Sequence, residues 1–447
     1  MKHTITRRRF IGASAVAGAS LGFGLNSGTA AAASAGKPAI LGGRKAHTGS
    51  FPGWPIYDEH EDQALLEALH SGKWGRLNGP QVARFETAYE RLTGAKHCVA
   101  VSCGTTALLT TLGALGIGPG DEVILPPYTF VATFNAIGFN YALPVFVDTD
   151  AESFQIDANK VEAAITKDTR LILPVHVGGS MPDMDAILST ANKHKIPVIE
   201  DACQAHLAEW RGRVVGQSGL AGCFSFQSSK NLNSGEGGAI ITNDNEFAAR
   251  CYNFHNQGHG RSVKGKGFSG ERGANFRLTE FQGGLLLAQM SRLNAQSKTR
   301  DENAAYLTKL LSEIPGIKPA RSPEGCTRSS HHLYMFRYQK EHFANLRRAK
   351  FIEAMGEEGC GCSAGYSPLN TDEYVKGLAH NPHYQRIYGQ EAMAKWVERN
   401  ACPINDRICA EAVWFGQTTL LGSRSEMEQI AEAVRKIQTQ AGEIAKR

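Results

Sequence analysis

The chain has 447 residues, of which 42% are hydrophobic and 20% are charged, a composition typical of globular proteins rather than disordered or membrane-embedded ones. This length allows a large core and more than one domain. The formal net charge of +5 is small for such a chain and gives no indication of a nucleic-acid or membrane-binding surface.

Residues 1–35 have the three parts of an export signal. Arg7, Arg8 and Arg9 precede Phe10, a Gly- and Ala-rich apolar stretch follows, and the segment ends in a run of alanines. The paired arginines are typical of the twin-arginine route, which carries folded proteins. The apolar stretch is short and glycine-rich for a membrane-spanning helix. We therefore expect a cleaved signal, no stable membrane span afterwards and a periplasmic or otherwise exported protein; a retained anchor and a cytoplasmic location are the alternatives.

Two segments, 61–71 and 80–92, have helical apolar spacing. Seven short apolar runs then alternate with helical stretches or turns: 99–101, 122–125, 144–147, 171–175, 198–200, 222–226 and 238–241. This alternation predicts an α/β fold with a mostly parallel seven-stranded sheet covered on both faces. Such sheets bind ligands beyond the carboxyl ends of their strands, so catalytic residues are expected just after these runs.

A long helix is predicted over 278–300, followed by a change of composition. Beyond it, 333–338 has the pattern of a strand, and 346–358 and 425–445 have that of helices. We therefore predict a large domain over 36–300 and a smaller C-terminal α+β domain over 301–447.

The ten cysteines are scattered without the paired CxxC spacing of a zinc site, so no metal site is predicted. Cys98, Cys103, Cys203 and Cys223 lie in apolar or glycine-rich surroundings and are interpreted as small buried residues. A disulfide among Cys360, Cys362, Cys402 and Cys409 is left open. The pair His331-His332 lacks a ligand set and is interpreted as the start of a strand.

Three polar segments follow apolar runs. Ser102 to Leu108 contains a Gly-Thr turn at a helix start, which suits a phosphate but also an ordinary helix cap. Asp201 directly follows a buried run. It is either a buried carboxylate that needs a positive partner or the N-cap of a helix. Lys230 lies in a glycine-rich turn, where it is either an inward nucleophile of lowered pKa or a solvated surface lysine.

Together with Phe130, Gln204 and Ser225, these segments resemble the DegT/DnrJ-type sugar aminotransferases. The resemblance depends on the motifs Glu-Asp-Ala-x-Gln at 200–204 and Phe-Ser-Phe-x-x-x-Lys-Asn-Leu at 224–232, and extends from about residue 55 to the C-terminus. It implies the pyridoxal-phosphate (PLP)-dependent transferase fold of type I, with PLP as cofactor.

The resemblance also implies residue roles. Lys230 holds PLP as a Schiff base and moves a proton during the reaction, and Asp201 pairs with the protonated ring nitrogen, which makes the ring an electron sink. Phe130 stacks on the ring and Gln204 lies beside it. The phosphate is held by Gly104, Thr105 and Ser225.

Asn275 and Arg277 match a family motif that reaches the neighbouring subunit's site, which implies a homodimer with shared active sites. Asn256 matches a family loop near the site. Some relatives have histidine at the lysine position and catalyse dehydration, so Lys230 favours transamination. Cys203 departs from the alanine usual in the Asp201 motif, a small change.

The implied activity is transfer of an amino group from glutamate or glutamine to a keto-sugar or keto-cyclitol. Another PLP reaction using Lys230 and Asp201 is one alternative, and a diverged sensor that binds PLP or sugar without turnover is a second. Retention of Lys230, Asp201 and Ser225 argues against the sensor. Nucleotide-linked sugars are scarce outside the cytoplasm, so the export signal bears on the substrate more than on the chemistry.

Overall fold

The computed structural model describes residues 36–260 and 272–447. The predicted export signal, 1–35, lies outside the described residues. No helix in the two described ranges is both long enough and apolar enough to cross a membrane.

The strands of the described residues are named in chain order. They are β1 His97–Val101, β2 Glu122–Leu125, β3 Leu143–Phe146, β4 Thr169–Ile172, β5 Ile199–Asp201, β6 Glu209–Trp210, β7 Arg213–Val214, β8 Ala221–Ser225, β9 Gly238–Thr242, β10 Ile317–Pro319, β11 Cys326–Arg328, β12 Leu333–Tyr338, β13 Ser363–Ala364 and β14 Ala412–Gly416.

The α-helices are named in the same way. They are α1 Glu59–His70, α2 Gln81–Thr93, α3 Gly104–Leu115, α4 Val131–Phe139, α5 Val161–Ala164, α6 Met184–His194, α7 Asn245–His255, α8 Glu280–Ser312, α9 Arg348–Glu357, α10 Glu373–Lys376, α11 Pro382–Tyr388, α12 Gln390–Arg399, α13 Pro403–Glu411, α14 Arg424–Thr439 and α15 Ala441–Ala445.

Seven strands form the large sheet, in the order β3-β2-β4-β5-β8-β9-β1. Short parallel bridges from Ile172 to Val198 and from Val175 to Asp201 join its two parts between β4 and β5. Every neighbouring pair is parallel except the two that contain β9, which runs antiparallel to both β8 and β1. This confirms the predicted mostly parallel seven-stranded sheet. The strand predicted to reach Val175 is regular only to Ile172, because Pro174 has no backbone N–H to donate.

Successive side chains of the large sheet point to opposite faces, and both faces are covered. Ala100 and Ile124 enter one buried cluster with α2, α6 and the start of α8. Val99 and Val123 enter a second cluster with α3, α4 and α7. The strands are therefore buried on both sides, as their continuous apolar sequence predicts.

A second sheet, in the order β10-β12-β14-β13, is antiparallel throughout and packs against α9 and α14. This is the predicted α+β part of the chain. Helix α8, predicted to end at Arg300, continues to Ser312. Leu286 and Leu293 pack beneath the large sheet and Leu307 and Leu311 beneath the small one. The predicted domain boundary at residue 300 falls inside this helix and stays a prediction.

Candidate active site

A cavity of about 550 Å³ opens at the carboxyl ends of the large-sheet strands, where the sequence predicts a site. Its lining includes seven of the predicted site residues, contributed by four separate segments: Gly104, Thr105, Phe130, Asp201, Gln204, Ser225 and Lys230. Only the fold brings them together, because the first and last are 126 positions apart in the sequence.

One end of the cavity is formed by the start of α3, directly after β1. The Sγ of Cys103 accepts a hydrogen bond from the Thr106 N–H at 3.4 Å and caps the helix. The first N–H groups of a helix have no intrahelical acceptor. A Cβ on Gly104 would lie 2.7 Å from the Cβ of Ser225, so only glycine lets the helix start this close to the serine. The arrangement suits an anion held by backbone N–H groups and the Ser225 hydroxyl.

Asp201, at the end of β5, presents a buried carboxylate to the cavity. Its Oδ2 accepts a hydrogen bond from the Thr133 hydroxyl at 2.8 Å, and its Oδ1 accepts one from the Cys203 N–H at 3.2 Å. Thr133 lies in the first turn of α4 and was not singled out from the sequence. A carboxylate has room for about four hydrogen bonds, so Asp201 retains capacity to accept a bond from a cationic ligand.

Gln204 is fixed by two hydrogen bonds. Its Oε1 accepts one from the Gly178 N–H at 2.8 Å, and its Nε2 donates one to the hydroxyl of Tyr366 at 2.9 Å. Burial raises the pKa of Tyr366 to about 12, so its hydroxyl stays protonated and keeps a hydrogen to donate. Gln204 and Tyr366 together define one polar point on a largely apolar wall.

Lys230 follows β8 in the turn between β8 and β9. Burial lowers the pKa of its amine, although the nearby Cys203 and Asp201 side chains partly raise it. A lowered pKa leaves more of the amine uncharged and nucleophilic near neutral pH. The Lys230 Nζ lies 3.4 Å from the Nε2 of His332.

The opposite wall comes from the C-terminal part of the chain, through His332, Leu333, Tyr366 and Trp414. The interpretation of His331-His332 as a strand start is confirmed, since β12 begins at Leu333. It was incomplete, because His332 also reaches the site. The signal available in the sequence was a polar run, Ser329 to His332, directly before an apolar strand.

Asn275 and Arg277 are not among the residues that line the cavity in this chain. The Arg277 Nη1 donates a hydrogen bond to the Asn256 Oδ1 at 2.9 Å, and Asn256 pairs with Asn275 through an antiparallel bridge. The three therefore form a cluster beside the end of β1. The role predicted for Asn275 and Arg277 at a neighbouring subunit's site stays a prediction, as does the position of Asn256 near the site.

All ten cysteines lie in the described ranges and have free thiols, so the disulfide left open from the sequence is absent. Across 36–260 and 272–447, no group of three or more His, Cys, Asp or Glu side chains has the arrangement of a metal site.

Comparison with known proteins places this cavity in context. Residues 55–435 match the model of the DegT/DnrJ/EryC1/StrS aminotransferase family. The chain is 35% identical over 387 residues to the 3-amino-5-hydroxybenzoate synthase of Amycolatopsis mediterranei (strain S699), covering 86% of this chain and 96% of the relative. It is also 35% identical over 419 residues to the L-glutamine:2-deoxy-scyllo-inosose aminotransferase of Streptomyces lividus, covering 89% and 97%.

Among solved structures, a crystal structure of 3-amino-5-hydroxybenzoic acid synthase superposes with a TM-score of 0.76 at 33% identity. The match covers 88% of this chain and 99% of that one. The family model, the relatives and the solved structure each cover most of the chain and agree with one another. The chain therefore belongs to the DegT/DnrJ/EryC1/StrS aminotransferase family and is an aminotransferase.

Proposed function

We propose that this enzyme uses PLP, held on Lys230, to transfer an amino group from glutamine or glutamate to the ketone of a keto-cyclitol or keto-sugar. The observation that carries the proposal is the placement of three groups around one cavity: the Lys230 amine, the Asp201 carboxylate and the anion-binding start of α3. A pyridine aldehyde phosphate needs these three partners at once.

The residues present fit PLP at each point. Ser225 and the N–H groups at the start of α3, where Gly104 leaves no space for a side chain, suit its phosphate. Asp201, hydrogen-bonded by Thr133 and with acceptor capacity remaining, suits a protonated ring nitrogen. Phe130, which is 58% exposed at the cavity edge, offers an aromatic face for stacking.

When bound, PLP supplies a ring that stabilises negative charge on the carbon beside the transferred nitrogen. The protein's own groups do the rest. Lys230, with its lowered pKa, supplies an amine that would take the proton from the donor's α-carbon and deliver it to the C4′ carbon of PLP, and would reverse this transfer for the acceptor. Asp201 keeps the ring nitrogen protonated. The donor leaves as its 2-keto acid, and the acceptor's ketone oxygen leaves as water when its carbon receives the amine.

The proposed substrates are supported by the name of one relative and by the side chains that line the cavity. The Streptomyces lividus relative is named for glutamine and 2-deoxy-scyllo-inosose, a donor and a cyclitol ketone. In this chain, Tyr366 and Trp414 meet edge to face with ring centroids 4.9 Å apart, and both line the cavity with Leu333. Such an aromatic wall with one polar point, the Gln204–Tyr366 pair, suits the flat side of a small hydroxylated ring.

We also propose a homodimer in which Asn256, Asn275 and Arg277 serve the neighbouring subunit's site. Support comes from an exposed apolar surface on and just after α1, formed by Leu65, Leu66, Leu69, Trp74 and Leu77. Several large apolar side chains exposed within so short a stretch favour a protein contact over solvent. Replacing Leu66 with Asp should shift the light-scattering mass from dimer towards monomer; a wild type that is monomeric at micromolar concentration would refute the dimer.

Export through the twin-arginine route is the last part of the proposal and depends on the sequence of residues 1–35. Replacing Arg7 and Arg8 with Lys should retain the protein inside the cell. Fractionation of the producing cells checks this, and wild-type protein found only in the cytoplasm would refute it.

The cofactor is tested by the visible spectrum of the purified full-length enzyme after addition of PLP. We expect an absorption band that borohydride bleaches, absent in Lys230→Ala and present in Lys298→Ala, a control at an exposed lysine. Glutamine or glutamate added without acceptor should convert the band to that of the amine form of PLP. A colourless wild type refutes the cofactor; a band that no common amino donor changes refutes transamination and favours the sensor alternative.

A further inference from the structure

Lys230 has a partner from a distant part of the chain. His332, the residue before β12, is 93% buried and is 102 positions away, yet its Nε2 lies 3.4 Å from the Lys230 Nζ. Neither the sequence motifs nor the comparisons assign this residue a role. The contact joins the C-terminal part of the chain to the reactive amine of the large sheet.

Asn231, which follows Lys230 in the sequence, fixes the tautomer of His332. The Asn231 Nδ2 donates a hydrogen bond to the Ser330 carbonyl at 2.7 Å, so the amide oxygen must be the atom that faces the His332 Nδ1 at 3.2 Å. An amide oxygen only accepts hydrogen bonds. The Nδ1 therefore carries the ring hydrogen, and the Nε2 has a bare lone pair directed at Lys230.

The surroundings keep the His332 ring uncharged. Burial first, and then the charge on Lys230 and the nearby His206 and Arg300 side chains, hold its pKa well below the ordinary value. His206 is itself neutral, since burial lowers its pKa to about 3. Around Lys230 the facing groups are Cys203, Asp201 and His332. The Nε2 is therefore a hydrogen-bond acceptor and not a proton donor at working pH.

We infer that His332 is a positioning residue that accepts a hydrogen bond from the Lys230 amine and fixes its rotation about the Cε–Nζ bond. One N–H of the amine is held by the Nε2, so the lone pair and the second hydrogen are directed into the cavity. No proton is transferred in this contact. The inference depends on the proposed function of Lys230, because orientation matters only if the amine reacts.

The contact with His332 should also change the properties of the free Lys230 amine in the absence of turnover. A hydrogen bond to the charged form of a group favours that form, so the Nε2 opposes part of the effect of burial on Lys230. Without it, the pKa of the amine should fall further, and the uncharged amine should react more slowly because its lone pair is no longer aimed.

Two substitutions of His332 separate its two nitrogens. The amide of Asn reaches the place of the Nδ1 and keeps the contact with Asn231, but provides no acceptor to Lys230. The longer Gln side chain can place its Oε1 where the Nε2 lies. His331→Asn is the matched control, because His331 has a φ of +49°, a conformation that Asn tolerates, and its ring nitrogen faces Asp301 rather than Lys230.

The full-length protein is first freed of bound PLP by exchange against an amine. It is then labelled competitively with acetic anhydride at a series of pH values, and peptide mass spectrometry measures the extent of acetylation of Lys230. In His332→Asn we expect the pKa of Lys230 to fall by about one pH unit. The pH-independent rate of PLP capture at high pH should fall about tenfold. His332→Gln should recover most of both quantities, and His331→Asn should match the wild type.

Equal values in His332→Asn and the wild type would overturn the inference, as would an equal change in His331→Asn. Should His332→Asn fail to fold, Asn231→Leu gives the same test with the histidine retained. Removing the acceptor for the Nδ1 hydrogen frees the ring to place its hydrogen on the Nε2, so the pKa and capture rate should again fall, and unchanged values would refute the role. If His332→Asn lowers the pKa of Lys230 as expected but the wild type captures no PLP, the proposed function is refuted while the contact between His332 and Lys230 is established.

Discussion

Glu200 and Asp201 are consecutive acids on β5 that point to opposite faces of the sheet, and their surroundings differ. The four acceptor positions of Glu200 are filled: its Oε1 takes the N–H groups of Ser218 and Gly219, and its Oε2 takes that of Gly216 and the His176 Nε2. Asp201 accepts bonds from Thr133 and the Cys203 N–H and faces the cavity. A saturated carboxylate holds structure, whereas one with remaining capacity can receive a ligand.

The pKa of Glu200 expresses the same difference. Burial raises it, but the His176 ring and the N–H groups of Gly219 and Gly216 lower it by more. The charge of Glu200 is thus satisfied entirely by the chain. We expect substitutions on the two faces of β5 to separate activity from stability.

The largest effect is expected from Asp201→Asn. Loss of the carboxylate removes the partner of the protonated ring nitrogen, so kcat should fall about 10²- to 10³-fold, while the melting temperature stays within a few degrees of the wild type. Steady-state kinetics and thermal unfolding check both. Activity above a tenth of the wild type would contradict a catalytic Asp201.

Glu200→Gln should lower stability and leave activity nearly unchanged, the reverse of Asp201→Asn. The amide cannot accept four hydrogen bonds, so buried N–H groups lose their partner and the free energy of unfolding should fall by about 3 kcal/mol. Urea unfolding measures this. Activity per folded molecule should remain within about threefold of the wild type; loss of activity without loss of stability would show that the two faces are not separate in function.

Two buried histidines, His176 and His206, differ in whether they have a charged partner. His176 is paired with Glu200, whereas the ring of His206 packs against Phe224 and Phe226, with centroids 5.8 and 5.6 Å apart. The pKa of His206 falls from 6.5 to about 3 on burial. Below pH 6.5 the unfolded chain therefore takes up a proton that the folded chain does not, and stability falls as the pH decreases towards 3.

His206→Phe should remove that proton uptake. At pH 4.5 the variant should be about 2–3 kcal/mol more stable relative to the wild type than it is at pH 7.5. Urea unfolding at the two pH values measures the difference. Parallel stability curves for the two proteins would mean that His206 does not stay neutral in the folded state.

The smallest effect is expected from Thr133→Val, which keeps the shape and removes the hydroxyl that bonds to Asp201. A loss of about 1 kcal/mol corresponds to a roughly fivefold lower kcat/KM. Thr129→Val is the control, because the Thr129 hydroxyl bonds to Thr133 and not to the carboxylate. An equal effect of both changes would assign the loss to the threonine pair rather than to Asp201.

The sequence predicted the sheet and the wall of the cavity that the sheet provides. Asp201 and Lys230 could be found because each lies in a short motif directly after an apolar run, and such positions meet at one edge of a parallel sheet. The antiparallel direction of β9 was not predicted, because an apolar run has the same pattern in either direction.

The opposite wall could not be found in this way. His332, Tyr366 and Trp414 come from separate segments of the C-terminal part, and each lies in an ordinary local pattern. Their shared position depends on how the antiparallel sheet packs on the large one. Thr133 was missed for a related reason: its hydroxyl has a function only beside Asp201, which is 68 positions away.

Helix α8 fixes the position of one wall of the cavity relative to the other. Its 33 residues extend about 50 Å as one continuous rod, with one end packed beneath each sheet. One residue inserted between Leu293 and Leu307 would turn the C-terminal wall by about 100° and advance it by about 1.5 Å relative to the wall that carries Lys230. The number of helical residues between its two packed ends therefore sets the distance and the relative orientation of the two walls of the site.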